Sequence, residues 1–181
     1  KTKNSFMVLP KACLFDLDGV LLDTEKLHGQ AWVKASSYFD IDLSQEQLLL
    51  LRGRTRADCI KQIIQWGNKD ISIENFNEIH QPISIDLISQ AKAMPGAEEL
   101  IEYCSSEEIP IALVTSSSQK SLALKTDPHP WITKIKTRVL GDDLELKEGK
   151  PAPDPFLLAA KRLKVSSKEC WAIEDSDSGK K

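Results

Sequence analysis

Short apolar runs that end in polar clusters punctuate the chain, and longer stretches between them carry apolar residues at helical spacing. Residues 12–15, 109–114, 137–140 and 170–173 read as buried strands. Helical periodicity covers 25–39, with Leu27, Ala31, Ala35 and Tyr38 or Phe39 on one stripe. It returns over about 44–51, 56–66 and 74–90, with breaks at Gly53, Gly67-Asn68 and Pro82. Further helices are expected at 97–106 and 154–164. No strand pattern falls between 25 and 94, so an all-helical insert, closing at Met94-Pro95-Gly96-Ala97, interrupts an alternation of strands and helices. Such alternation predicts a parallel sheet with right-handed crossovers, whose strands all present their polar ends at one edge.

Composition narrows the possibilities. A chain of 181 residues supports one good core, or one core with a small appended unit. The net charge is −3 with no basic cluster to grip a phosphate backbone, so nucleic acid is not an expected partner. Cys13, Cys59, Cys104 and Cys170 lie far apart without a Cys-x-x-Cys pair, which fits free thiols in a reducing compartment. No apolar run approaches the roughly 18 residues needed to span a bilayer, and residues 1–10 lack the apolar centre of a secretory signal. The expectation is a soluble, cytoplasmic, monomeric protein without a membrane partner.

The first strand runs into Asp16-Leu17-Asp18-Gly19, two carboxylates and then a glycine that lets the backbone turn. A carboxylate at the carboxyl end of a parallel strand stands where open α/β sheets bind ligands, and it can act as a nucleophile or hold a hard cation. The other strand ends bring Thr115, Ser116, Glu174 and Asp175 to the same edge. Each has a plain alternative: an Asp-Gly turn, a helix N-cap cluster at Ser116, Ser117 and Ser118, an acidic cap at Glu174-Asp175, and a solvated turn around Lys150. One chemistry unites them. A phosphoryl group passing to Asp16 spreads charge over three oxygens, which the Thr115 hydroxyl, the Ser116 N–H and the Lys150 ammonium can meet. Mg²⁺ would find oxygen ligands in Asp16, the Asp18 carbonyl, and Asp175 or Glu174.

Asp16-x-Asp18-Gly19, Thr115-Ser116 after an apolar strand, Lys150-Pro-x-Pro-Asp154 and Glu174-Asp175-Ser176 resemble the four ordered motifs of the haloacid dehalogenase superfamily. DLDGVLLDTEKLHGQAW and LLRGRTRADCIKQII are similar to its β-phosphoglucomutase-like and CbbY-like branch, and the helical insert resembles its C1 cap. The resemblance covers residues 11–179. It implies a Rossmann-like α/β core, residues 1–24 and 95–181, with an inserted all-helical cap domain over residues 25–94. Asp16 would be the nucleophile and Asp18 the general acid/base. Thr115 and Lys150 would stabilise charge, and Asp175 with Glu174 would be metal ligands. His28 and the Arg52-Gly53-Arg54-Thr55-Arg56 loop would reach the substrate from the cap, joined by Ser116 and Ser117. True dehalogenases lack the second aspartate, so Asp18 points to phosphate chemistry.

Two departures stand out. The resemblance implies a helix and a further strand beyond Gly179, so the sequence is expected to be a shortened form. Mutase-like members carry a lysine in the later cap helix, where Gln81-Pro82 is read here. The expected function is a Mg²⁺-dependent phosphohydrolase for a small phosphorylated metabolite such as a sugar phosphate. The alternatives are a sugar phosphomutase using the same residues and a catalytically silent binding protein.

Overall fold

A computed structural model describes residues 9–52 and 54–175. Strands β1 (Ala12–Phe15), β2 (Ile111–Val114), β3 (Thr137–Val139) and β4 (Cys170–Ile173) form one parallel sheet in the order β3-β2-β1-β4. Cys13 pairs with Ile111 on one side and Trp171 on the other, which places β1 at the centre. The two central strands β1 and β2 are buried almost throughout, as a sheet covered on both faces requires, while the edge strands β3 and β4 are more exposed.

Alternation along β1 assigns its side chains to opposite layers. Cys13 and Phe15 pack with Leu113, Ile101, Leu122 and Ile132 on one face. Leu14 packs with Ala112, Val114, Val139, Ala159 and Ala160 on the other. The first layer is supplied by helices α5 (Ala97–Ser106) and α6 (Gln119–Thr126), and the second by α7 (Asp154–Leu163). Burying Phe15, Ile101 or Leu113 contributes roughly 1.5–3 kcal/mol each relative to exposure.

Between β1 and α5 lie four helices: α1 (Glu25–Tyr38), α2 (Gln45–Leu51), α3 (Arg56–Gly67) and α4 (Ile73–Ile88). They bury a core of their own around Ala35, Ile41, Ile60, Ile63 and Phe76. Three of the four starts are fixed by side-chain caps: at α2 Ser44 with Gln47 forms a capping box, while at α3 and α4 Thr55 and Ser72 accept from Asp58 N–H and Asn75 N–H. The chain's passages into and out of this insert run side by side. Asp23 N–H donates to Lys92 O at 2.9 Å and Met94 N–H to Leu21 O at 2.9 Å.

The sequence pattern corresponds closely to these elements, with two corrections. Pro82 does not break a helix; α4 continues through it, and the missing N–H leaves one gap in an otherwise intact ladder. Helix α6 was not expected: its weak amphipathicity hid it, although Ser118 caps it by accepting from Ser121 N–H at 3.3 Å. Among the described residues no helix is long and apolar enough to cross a membrane.

The loop after β2 and the loop after β3 meet closely. Gly141 N–H donates to Ser117 O at 2.9 Å, and a Cβ on Gly141 would lie 2.1 Å from Ser116 O, a backbone atom with no freedom to retreat. Gly141→Ala is therefore expected to destabilise the fold by about 1–3 kcal/mol, read as a lowered urea midpoint at unchanged m-value.

Candidate active site

The ends of three strands converge. Asp16 follows β1, with its N–H donating to Ile173 O at 3.0 Å; Thr115 follows β2, with its N–H donating to Val139 O at 3.0 Å; Glu174 and Asp175 follow β4. Backbone bonding at the last rung of the sheet thus fixes where the first polar side chains emerge. Gly19, at φ +79°, turns the chain after Asp18, and the Asp175 carboxylate occupies the space a Cβ at Gly19 would need.

Lys150 joins two of these ends. Its Nζ lies 3.0 Å from Asp16 Oδ1 and 2.6 Å from Glu174 Oε2, and 5.0 Å over the Phe156 ring. Asp16, Glu174 and Asp175 each offer an oxygen within 4.8 Å of the others. Burial pushes the Asp16 carboxyl up to about 7, Lys150 pulls against it, and Glu174 adds to the rise. Asp175 is also raised, first by burial and then by Glu174. The cluster is short of positive charge, and carboxylate oxygens are the donors a hard divalent cation prefers, so its residues fit Mg²⁺.

Asp18 has a different environment. Thr24 Oγ1 donates to its Oδ1 at 2.7 Å, Lys125 Nζ lies 2.7 Å from both oxygens, and Ser117 Oγ stands 3.4 Å from Oδ2. Burial acts to raise its pKa, but the His28 imidazole, Lys125 and Thr24 together hold it well below the usual carboxylate range. His28 Nε2 is 3.9 Å from Oδ1, too long for a hydrogen bond in this arrangement.

A cavity of about 1030 Å³ opens between the sheet edge and the insert. Asp18, Ser116, Ser117, Ser118 and Lys125 line it from the core, and His28, Trp32, Arg52, Arg54, Arg56 and His80 from the insert. Asp16, Thr115, Glu174 and Asp175, at the strand ends, and Lys150, in the loop before α7, are not among the residues that line it. Arg52 Nε is 3.3 Å from Glu25 Oε2, and Arg54 donates to Gln62 Oε1 at 3.3 Å. Thr55 is occupied in capping α3, accepting from Asp58 N–H at 3.2 Å and donating to Asp58 Oδ2 at 2.7 Å. Gly53, Ser176 and Gly179 lie outside the described residues. Thr115 Oγ1 accepts from Ser117 N–H at 3.1 Å, which orders the turn. Ser116, Ser117 and Ser118 all line the cavity, and Ser118 is also the cap of α6.

Lys125, His80 and Ser84 are among the cavity residues that escape the sequence reading. Lys125 sits on the unexpected helix α6, and the signal that would have found it is the Ser118 cap with Leu122 and Lys125 three residues apart. His80 is buried, with both ring nitrogens unpartnered among the described residues, and stacks on Trp32 at 3.8 Å. Burial, then the charges of Arg56 and His28, push His80 down to about 3, so it is neutral. The α4 positions that face the cavity are His80 and Ser84; Gln81, expected there, is exposed instead.

Acidic strand ends gathered around buried lysines, opposite an inserted helical unit, define a Rossmann-like α/β enzyme. The chain belongs to the haloacid dehalogenase-like hydrolase family, whose model matches residues 13–181. It is 31% identical over 176 residues to the bifunctional riboflavin kinase/FMN phosphatase of Arabidopsis thaliana, aligning 97% of this chain but spanning only 46% of that protein. It is 33% identical over 172 residues to (DL)-glycerol-3-phosphatase 2 of the same plant, covering 92% of this chain and 72% of the relative. The crystal structure of beta-phosphoglucomutase from Clostridium difficile matches with a TM-score of 0.73 at 29% identity, over 94% of this chain and 78% of that one.

Because Asp16 is held ionised only against burial, its charge weakens the metal-free fold between its ordinary 3.8 and about 7. Its folded pKa is raised, so the stability it contributes is full below the unfolded value and is lost as pH rises through the folded one. In chelator-treated buffer, Asp16→Asn should exceed wild type in stability by about 1–4 kcal/mol at pH 8, at roughly 1.4 kcal/mol per pKa unit. The gap should close towards pH 4, as followed by thermal and urea unfolding.

Proposed function

We propose that the protein is a Mg²⁺-dependent phosphohydrolase for a small phosphorylated metabolite, a sugar or polyol phosphate, with residues 25–94 acting as a cap over the site. The observation that carries this reading is Asp16 at a strand end, 3.0 Å from the Lys150 ammonium and beside Glu174 and Asp175. An Asp16 oxygen attacks phosphorus, the ester P–O bond breaks, and Asp18, having first taken up a proton from solvent, gives it to the departing oxygen. Asp18 then takes a proton from water, whose oxygen attacks the aspartyl phosphate, freeing inorganic phosphate and restoring Asp16. Lys150 and Thr115 meet the charge on the phosphoryl oxygens during both transfers. Held by Asp16, Asp175 and the Asp18 carbonyl, Mg²⁺ would supply positive charge to the phosphoryl oxygens. Glu174 is engaged with Lys150, which supports Asp175 as the more direct ligand of the two. His28, Arg52, Arg54 and Arg56 on the cavity wall would bind the body of the substrate.

The second reading is a sugar phosphomutase, favoured by the likeness to beta-phosphoglucomutase. Such an enzyme must grip a second phosphate in the cap and exclude water from the aspartyl phosphate. Arg52, Arg54 and Arg56 could supply that grip, but helix α4 adds nothing to it, since it carries neither lysine nor arginine and its cavity-facing side chains are the neutral His80 and Ser84. Water as the acceptor is the better fit.

Phosphorus NMR separates the two. With β-glucose 1-phosphate or a related sugar phosphate, a trace of glucose 1,6-bisphosphate and Mg²⁺, free phosphate should accumulate, and chelation or Asp16→Asn should stop it. Rapid conversion to glucose 6-phosphate with little free phosphate would establish the mutase instead. Asp175→Ala should raise the Mg²⁺ concentration needed for half-maximal turnover by at least about tenfold, on the scale of lost metal-site partners.

A further inference from the structure

We propose that Lys125 is a positioning residue that fixes the orientation of Asp18 for proton transfer to the leaving group, an inference that rests on the phosphohydrolase reading above. Lys125 is 4% exposed, which is rare for a lysine and costly unless every donor is engaged. Here they are engaged: Nζ meets Asp18 Oδ1 and Oδ2 at 2.7 Å each, and Ser117 Oγ at 2.9 Å. The side chain reaches the site from the last turn of α6, and the serine it touches belongs to the turn that leads into that helix. One helix therefore supplies both the turn and the lysine that brace it against Asp18.

The alternative anchors are weaker. Thr24 engages one oxygen only, Ser117 Oγ is at 3.4 Å from the other, and His28 stands 3.9 Å away on the insert. Hydroxyls rotate, whereas an ammonium held by three acceptors does not. Lys125 is the one group among the described residues that holds both carboxylate oxygens at 2.7 Å, so removing it leaves Asp18 on one short hydroxyl bond from Thr24 and one long one from Ser117, with more freedom to turn about its side-chain bonds. Proton delivery depends on holding the donor within hydrogen-bond reach of the ester oxygen, and small misplacements there lower rates by orders of magnitude. Asp18 is a carboxylate in this arrangement and takes up a proton from solvent before the first transfer; that O–H proton then passes to the ester oxygen as its bond to phosphorus breaks and the phosphoryl group joins Asp16, leaving a neutral alcohol. A mispositioned Asp18 slows that step in proportion to how much proton the leaving oxygen needs.

The test compares kcat/KM for phenyl phosphate and 4-nitrophenyl phosphate with Mg²⁺ present, in wild type, Lys125→Met and Lys125→Arg. This parameter covers only the steps through leaving-group departure, and the ratio of the two substrates in one preparation is independent of the fraction folded. Nitrophenolate departs without a proton and phenolate, about three pKa units more basic, does not. Lys125→Met should lower kcat/KM for phenyl phosphate at least tenfold more than for 4-nitrophenyl phosphate, and Lys125→Arg should recover part of that difference. A merely structural role would lower both equally. An unchanged ratio, or one shifted in favour of phenyl phosphate, would overturn the inference alone. If wild type releases phosphate from neither ester, the phosphohydrolase reading fails and the inference fails with it.

Discussion

Repulsion among carboxylates is the constraint that shapes this molecule's edge. Asp16, Asp18, Glu174 and Asp175 are brought together by strands whose first duty is to bury apolar side chains. Two like charges 4 Å apart repel by about 4 kcal/mol at an effective dielectric near 20, a large part of a domain's whole stability. Two buried ammonium groups offset much of this, Lys150 between Asp16 and Glu174, and Lys125 on Asp18. Four carboxylates against two ammoniums leave two negative charges over. Protons can cover that excess, as the raised Asp16 and Asp175 carboxyls indicate, and so can one dication.

The two lysines divide the acids into groups with opposite tendencies. Around Lys150, burial outweighs the single shared cation and Asp16 is pushed up. Around Asp18, the lysine, a hydroxyl and the nearby imidazole outweigh burial and the carboxyl is pulled down. Side chains two residues apart on one strand end therefore differ in charge behaviour because their partners come from different elements.

Most of the fold was legible because its signals are local. Apolar runs such as 12–15 and 111–114 announce buried strands, and the silence of strand patterns between 25 and 94 announces the insert. That Asp16, Asp18, Thr115, Glu174 and Asp175 would share one edge was legible for a related reason: topology brings every strand's carboxyl end to one side of the sheet. What stayed hidden depends on rotation and reach. Lys125 looks like any surface lysine until α6 turns it inward over 107 residues of separation to Asp18. His80 rather than Gln81 faces the cavity because of the phase of α4, which a proline within the helix obscured in the sequence. Thr55 shows the converse, a residue in a motif whose hydroxyl is spent on its own helix start.

The paired passages at Leu21–Asp23 and Lys92–Met94 carry a consequence for how such a chain diversifies. Since they are hydrogen-bonded neighbours, the four helices between them close a loop whose ends are already together, outside the strand pairings of the sheet. Lengthening a loop of this kind costs little, about 0.6 kcal/mol for each doubling. The helical unit is in effect an interchangeable cassette. Its cavity wall can be rewritten while the acid and lysine array beneath stays fixed, so recognition and reactivity are free to change at different rates.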